Sequence, residues 1–117
     1  MAEITSYDFI IQPQDVDFTL RASAASVINY MLNVAGTDAH RKGFGVDALQ
    51  GDSVTWVLSR LAVEIAAQPK QYTAIEVDTW VNEFNRLTST RNFRMRQGDN
   101  CLAMGVSQWC MLNMESR

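Results

Sequence analysis

Two carboxylates stand where they could do chemistry. Asp17 precedes the first helical pattern by a few residues. The free backbone amides at the start of that helix, those of Ala24 and its neighbours, offer an anion hole. A carboxylate that activates water, beside amides that receive a developing oxyanion, is enough to hydrolyse an activated carbonyl. The plainer alternative is an acid that merely favours the positive end of the helix dipole. Asp38 lies in Thr37-Asp38-Ala39-His40, in the last helical turns. An acid is unfavourable there and asks for a reason, which either a catalytic role or a contact with Arg41 or Lys42 supplies. His40 is the single histidine, and it reads either as a substrate contact or as a solvated cation at the helix end.

Other groups could bind rather than react. Asn29 and Asn33 form an i, i+4 pair on one helix face, where inward amides would need a ligand or a neighbouring strand as partner. Arg86, Arg91, Arg94 and Arg96 cluster near one hairpin in an otherwise acidic chain. Arg94 and Arg96 share a strand face and could meet phosphates or an acidic protein surface, or simply solvent. The Gly-x-Ser-x-Gly elbow is absent, which argues against a nucleophilic serine. Two cysteines and one histidine are too few soft ligands for zinc, and neither metal nor cofactor is expected. Cys101 and Cys110 fall in one predicted strand, roughly 30 Å apart and on opposite faces, so they read as reduced thiols of a cytoplasmic protein.

The elements that must position these groups follow from periodicity. Ser6 to Gln12 is β-rich and ends at Pro13. Asp15 to Leu20 reads as an extended approach. From Ser23 the period changes: Ala24, Ile28, Met31, Leu32, Ala35 and Ala39 recur at helical spacing. Ser23 can cap the start and Gly43 stop the end, giving a helix of about 18 residues and roughly 27 Å. Val54 to Ala66 alternates, with Val57, Leu61, Val63 and Ile65 against Arg60 and Glu64. Ala74 to Asn85 sets Ile75, Val77, Thr79 and Val81 against Glu76, Asp78 and Asn82. Thr88 to Gln97 sets Phe93 and Met95 against Asn92, Arg94 and Arg96, and Gly98-Asp99-Asn100 turns into Cys101 to Met114.

One long helix followed by long consecutive strands predicts an α+β fold, an antiparallel sheet coiled around a central helix. Trp56, Leu58, Trp80, Phe84 and Trp109 fall out of step with the inward set, which suggests either a second subunit over part of the sheet or residues at strand ends that cap the core. The chain has 117 residues, 47% hydrophobic and 20% charged, with a net charge of −3. That is one domain, spanning 1–117, with enough apolar material for a core. The acidic balance disfavours nucleic acid, and no run of about 18 apolar residues spans a membrane.

Four ordered stretches carry a family resemblance: Ile28-Asn29-Tyr30-Met31-Leu32 with Ala35-Gly36; Gly43-Phe44-Gly45; Trp56 to Leu61; and Asp78-Thr79-Trp80-Val81. With Ser107 to Leu112 as closing strand, they resemble the N-terminal half of the acyl-ACP thioesterases, which are built from two tandem hotdog domains. The resemblance runs from about Tyr7 to Arg117 and implies the hotdog fold, a long helix wrapped by an antiparallel sheet. In that family the catalytic residues sit in the second half, in an Asp-x-Asn-x-His-x-Asn segment. The equivalent segment here keeps Asp17 but has Thr19, Arg21 and Ser23 in the other places, so no histidine role passes to Arg21.

The resemblance implies hydrolysis of fatty acyl thioesters carried by acyl carrier protein or coenzyme A, in a homodimer or higher homo-oligomer. Asp17 or Asp38 would activate water. The competing expectation is a non-catalytic acyl-binding half, or a piece of a longer tandem enzyme. Six methionines suit an adaptable apolar slot, and ordinary core filling explains them equally.

Overall fold

A computed structural model describes residues 3–43, 54–85 and 87–113. Five strands, β1 (Thr5–Ile10), β2 (Val54–Ile65), β3 (Ala74–Phe84), β4 (Thr88–Gln97) and β5 (Asn100–Asn113), form one sheet in the order β1-β3-β4-β5-β2. Every neighbouring pair is antiparallel. One helix, α1 (Ala24–Arg41), covers one face, so the α+β expectation holds.

Both ends of α1 lie where local chemistry puts them. The Ser23 hydroxyl accepts from the Ser26 amide at 3.1 Å, satisfying one of the first-turn donors. At the other end Gly43 takes φ +83°, a left-handed stop that glycine adopts without strain, and its amide donates to the His40 carbonyl.

The buried face of α1 is Ser26, Val27, Met31, Val34, Ala35 and Asp38. That corrects the expected stripe, which shares only Met31 and Ala35 with it; Ala24 is exposed and Ile28, Leu32 and Ala39 are half-buried. Small and apolar residues surround the whole helix, so its spacing fitted more than one face. The helix lies against the sheet without being enclosed by it, and its opposite face is open.

Beneath it, Ile75, Val77, Phe93, Met95 and Ala103 build the apolar core with Val27, Met31 and Val34. Gly105 allows the close approach: a Cβ there would stand 2.9 Å from the Met31 sulfur.

Three register shifts reorder the faces. In β2 the pairing jumps between Leu58 and Arg60, so Ser59 is an extra residue. Leu61, Val63 and Ile65 face the helix as expected. Beyond the bulge the parity reverses: Val57 turns outward, while Trp56 and Leu58 turn in, paired with Met111 and Trp109. Trp56, Leu58 and Trp109 therefore belong to the helix side and give no reason to cover the other face. A second shift lies between Val81 and Glu83; the side chain of Phe84 is outside the described residues. A third, between Met95 and Arg96, brings Cys101 beside outward-facing Arg96, whereas Cys110 pairs with outward-facing Thr88. The cysteines thus share a face, contrary to the expectation, and both are free thiols.

The approach to the helix is a closed turn rather than an extended segment. Val16 bridges Ala22, the Asp17 amide donates to the Arg21 carbonyl, and Leu20 takes φ +63°.

Candidate functional site

Asp38 is the more elaborate of the two predicted carboxylates. It projects from the last turns of α1 into the core and is 0% exposed. The Arg91 Nη1 donates to its Oδ2 at 2.7 Å, Lys42 Nζ donates to the same oxygen at 3.0 Å, and the Tyr7 hydroxyl donates to Oδ1 at 2.8 Å. Burial alone would raise the Asp38 carboxyl; the bonds from Arg91, Lys42 and Tyr7 outweigh it and hold the group below its ordinary value. Burial, and then the bond to Asp38, push the Tyr7 phenol up. The contact with Lys42 was expected from the helix-end position; the contacts with Arg91 and Tyr7 were not.

Arg91 shares the helix-facing side of β4 with Phe93 and Met95, and it also donates to Thr79 Oγ1 at 3.1 Å. Around it the core turns polar. Ser107 Oγ donates to the Arg91 carbonyl at 3.0 Å, and the Trp109 indole donates to Ser107 Oγ at 2.9 Å. So the layer between helix and sheet is apolar beneath Val27 and Met31 and hydrogen-bonded beneath Asp38. The parity of Arg91 with Phe93 and Met95 is the sequence signal that could have found this pair.

Asp17 is exposed at the turn. Its Oδ1 accepts from the Thr19 amide at 2.8 Å and from the Thr19 hydroxyl, and those two bonds hold the carboxyl below its ordinary value. The ladder places Asp15, not Asp17, beside the helix start: the Ser23 amide donates to the Asp15 carbonyl at 3.0 Å. Asp15 was missed as a candidate. Its carboxylate accepts from the Gln12 amide and from the Tyr30 hydroxyl. Burial first, and the Asp15 bond second, push the Tyr30 phenol up to about 12.

Asn29, Asn33 and His40 are all exposed on α1, along the side away from the sheet, with exposed Gly36 between them. Asn29 and Asn33 therefore do not point into the fold. Arg94 and Arg96 lie on the other side of the sheet, where both Nε groups donate to Asp78 Oδ2 at 2.8 Å. Arg96 also donates to Glu76 at 2.7 Å, and Ser6 donates to Asp78 at 2.6 Å. Burial would raise the Asp78 carboxyl, but these donors carry it down to about 2. The predicted binding groups thus fall into two sets separated by the sheet, and both arginines already hold carboxylates.

A cleft of about 770 Å³ opens at the β1–β3 edge, lined by Asp8, Phe9, Ile10, Gln12, Ala74, Ile75, Glu76 and Gly98. None of the predicted site residues lines it, although Arg96 donates to its Glu76 from β4.

The acyl-ACP thioesterase N-terminal domain matches residues 3–117. Among curated relatives, the chloroplastic oleoyl-acyl carrier protein thioesterase of Coriandrum sativum is 24% identical, with 93% of this chain and 32% of that protein covered. The chain spans about a third of the length of the curated relatives it matches. Among solved structures, an acyl-ACP thioesterase from Bacteroides thetaiotaomicron is 40% identical at a TM-score of 0.91, over 97% of this chain and 47% of that one. A 1,4-dihydroxy-2-naphthoyl-CoA thioesterase from Synechocystis is 8% identical at a TM-score of 0.88, over 98% of this chain and 86% of that one, a likeness of fold alone. The fold is the hotdog fold, as the resemblance implied.

Proposed function

This chain belongs to the acyl-ACP thioesterase family, and from that premise we propose that residues 1–117 act as one hotdog unit of an acyl-thioester hydrolase. Its substrates are fatty acyl groups carried by acyl carrier protein or coenzyme A. The observation that carries this reading is the family match over residues 3–117, joined to the 40% identity with a solved acyl-ACP thioesterase. The unit works against a second hotdog unit, supplied by another copy of the chain.

Of the two carboxylates, Asp17 is the one a substrate can reach, and the proposal gives it the activation of water. The first-turn amides of Ala24 and Ala25, exposed residues next to Asp15, are the proposed oxyanion donors, and Asp17 acts on the bound carbonyl from across the turn that the Val16–Ala22 bridge closes. Asp38 could act only after parting from Arg91 and Lys42, which would leave charges buried, so its role is to anchor the helix. The open stripe of Asn29, Asn33 and His40 faces the pantetheine arm, whose amides match the asparagine side chains. Arg94 and Arg96, on the far side of the sheet, lie outside this path.

A second reading is favoured by the bonds of Asp17. Its carboxylate closes a turn with Thr19, and Thr19, Arg21 and Ser23 lack the amide and imidazole groups of the family's catalytic segment. Under that reading the unit binds the acyl group while a different hotdog unit performs hydrolysis. Purified protein assayed against acyl-ACP and acyl-CoA of graded chain length tests both. Turnover that falls at least a hundredfold in Asp17→Asn supports the first reading. Turnover untouched by that change removes Asp17, and binding of acyl thioesters without turnover supports the second reading. Neither binding nor turnover at any chain length overturns both.

A further inference from the structure

One edge of the sheet carries a surplus charge beside a cleft. β1 is the outermost strand, and no described strand lies beyond it. The Ile11 amide donates to the Thr73 carbonyl and the Ile11 carbonyl accepts from the Tyr72 amide, so the odd-numbered residues of β1 direct their main-chain bonds at β3. Alternation then turns the amides and carbonyls of Ser6 and Asp8 to the free edge. The Ile10 carbonyl, on the same side, already accepts from Gln12 Nε2 at 2.9 Å. That bond caps the edge, which stays open from Ile4 to Asp8.

The side chains along that edge select for charge. Asp8 is the cross-strand partner of Glu76. Theirs is the closer kind of antiparallel pair, with Cα atoms about 4.5 Å apart, and like charges so placed repel. Arg96 neutralises Glu76 at 2.7 Å but is shared with Asp78. Asp8 has no ion-pair partner among the described residues. Asp8 and Glu76 both line the cleft of about 770 Å³, together with Ile10, Ala74 and Gly98. Ile4 and Ile10, on the same face as Asp8, are 54% and 53% exposed. A cation on an apolar stem fits that mixture: its head relieves the Asp8–Glu76 repulsion while its stem covers Ile10 and Ala74. A free amine would leave the main-chain groups of Ser6 and Asp8 to water. An extended segment answers both needs, since strand addition pairs the backbone and sets a side chain opposite Asp8.

We infer that the free edge of β1 docks an extended basic segment of a partner protein as a sixth, antiparallel strand. A lysine opposite Asp8 lies in the cleft. Apolar residues two positions before it and four after it lie against Ile10 and Ile4, and the residue opposite Ser6 is small and polar. This surface is independent of the thioesterase reading and leaves the helix stripe open.

Titration of the isotopically labelled full chain with capped peptides, followed by amide NMR shifts, tests it. The peptide Val-Thr-Lys-Thr-Thr-Thr-Val should shift the amides of Ser6, Asp8, Glu76 and Gly98. The same peptide with glutamate for lysine should bind roughly tenfold more weakly. So should one methylated on the lysine main-chain nitrogen, which cannot donate to the Asp8 carbonyl. Asp8→Lys, with its folding checked by a melting curve, should reverse the preference and take the glutamate peptide; the peptide arms decide even if that variant does not fold. Shifts absent from β1 overturn the inference, as does equal binding of the lysine and glutamate peptides or methylation without effect. Spermidine that reproduces the shifts and displaces the peptide completely marks a free-cation site and overturns strand addition. Concentration-dependent shifts of β1 without peptide would mean that a second copy takes the edge, and overturn it too.

Discussion

Among the described residues two carboxylates are hidden, Asp38 on the helix side of the sheet and Asp78 on the other, and β4 supplies arginines to both. Each carboxylate side chain is about 1% exposed. The difference lies in the partners. Arg91 is 4% exposed and sealed with Asp38 under α1, whereas Arg94 and Arg96 are 39% and 28% exposed and share Asp78 between them. The first site ties helix to sheet through a pair that water cannot replace. The second lies across β1, β3 and β4, and its arginines can be rehydrated if the carboxylate is lost. A buried charge is an obligation when its partner is also buried, and only a convenience when its partner reaches solvent.

Removing one buried partner should have the largest effect. Arg91→Met leaves Asp38 in the core with too few donors and should destabilise the fold by about 3–5 kcal/mol. Adding Asp38→Leu to it should recover most of that, because the pair is then gone from both sides; denaturant melts of the three variants measure it. If the double variant is no better than the single one, Asp38 and Arg91 do not act as a pair.

Asp78 should come next. Its carboxyl is held down to about 2, below its unfolded value, so its stabilisation is complete above about pH 4 and lost as pH falls towards 2. Asp78→Asn should lower stability at pH 7 by about 2 kcal/mol and flatten the acid limb of the stability–pH curve over that window. A curve as steep as the parent's would mean that other carboxylates govern it.

Arg94→Gln and Arg96→Gln should each lower stability by less than about 1 kcal/mol, since the other arginine remains on Asp78. The smallest effect expected is that of 1 M salt. It should narrow the difference between the parent chain and Arg94→Gln while leaving the Arg91→Met difference nearly unchanged, because buried pairs are screened least.

The parts of this comparison differed in how far the chain announced them. Alternation in Thr88 to Gln97 predicts that Arg94 and Arg96 share a face, and they do. The same alternation sets Arg91 with Phe93 and Met95, yet a cluster of arginines reads as a solvated group until a buried acid is found for one of them. Asp38 was visible as an anomaly at a helix C-terminus, but its partner lies 53 residues away. The inward set of β2 was legible from Leu61 onward and inverted before it, because one extra residue at Ser59 reverses every side chain beyond it. Asp17 was read as an approach to the helix; the Val16–Ala22 bridge folds it back into a turn and puts Asp15 by the helix start instead.

By itself the order of residues determined the helix and its two ends, the strand succession and the antiparallel hairpin, because caps, stops and alternation act within a few residues of one another. It also carried the family, through four motifs in order. Only the tertiary structure decided which helix face is buried, which side Trp56 and the cysteines take, and that Asp38 belongs to Arg91. Those choices depend on bulges that shift parity by one residue and on contacts between elements far apart in the chain, where no local propensity reaches.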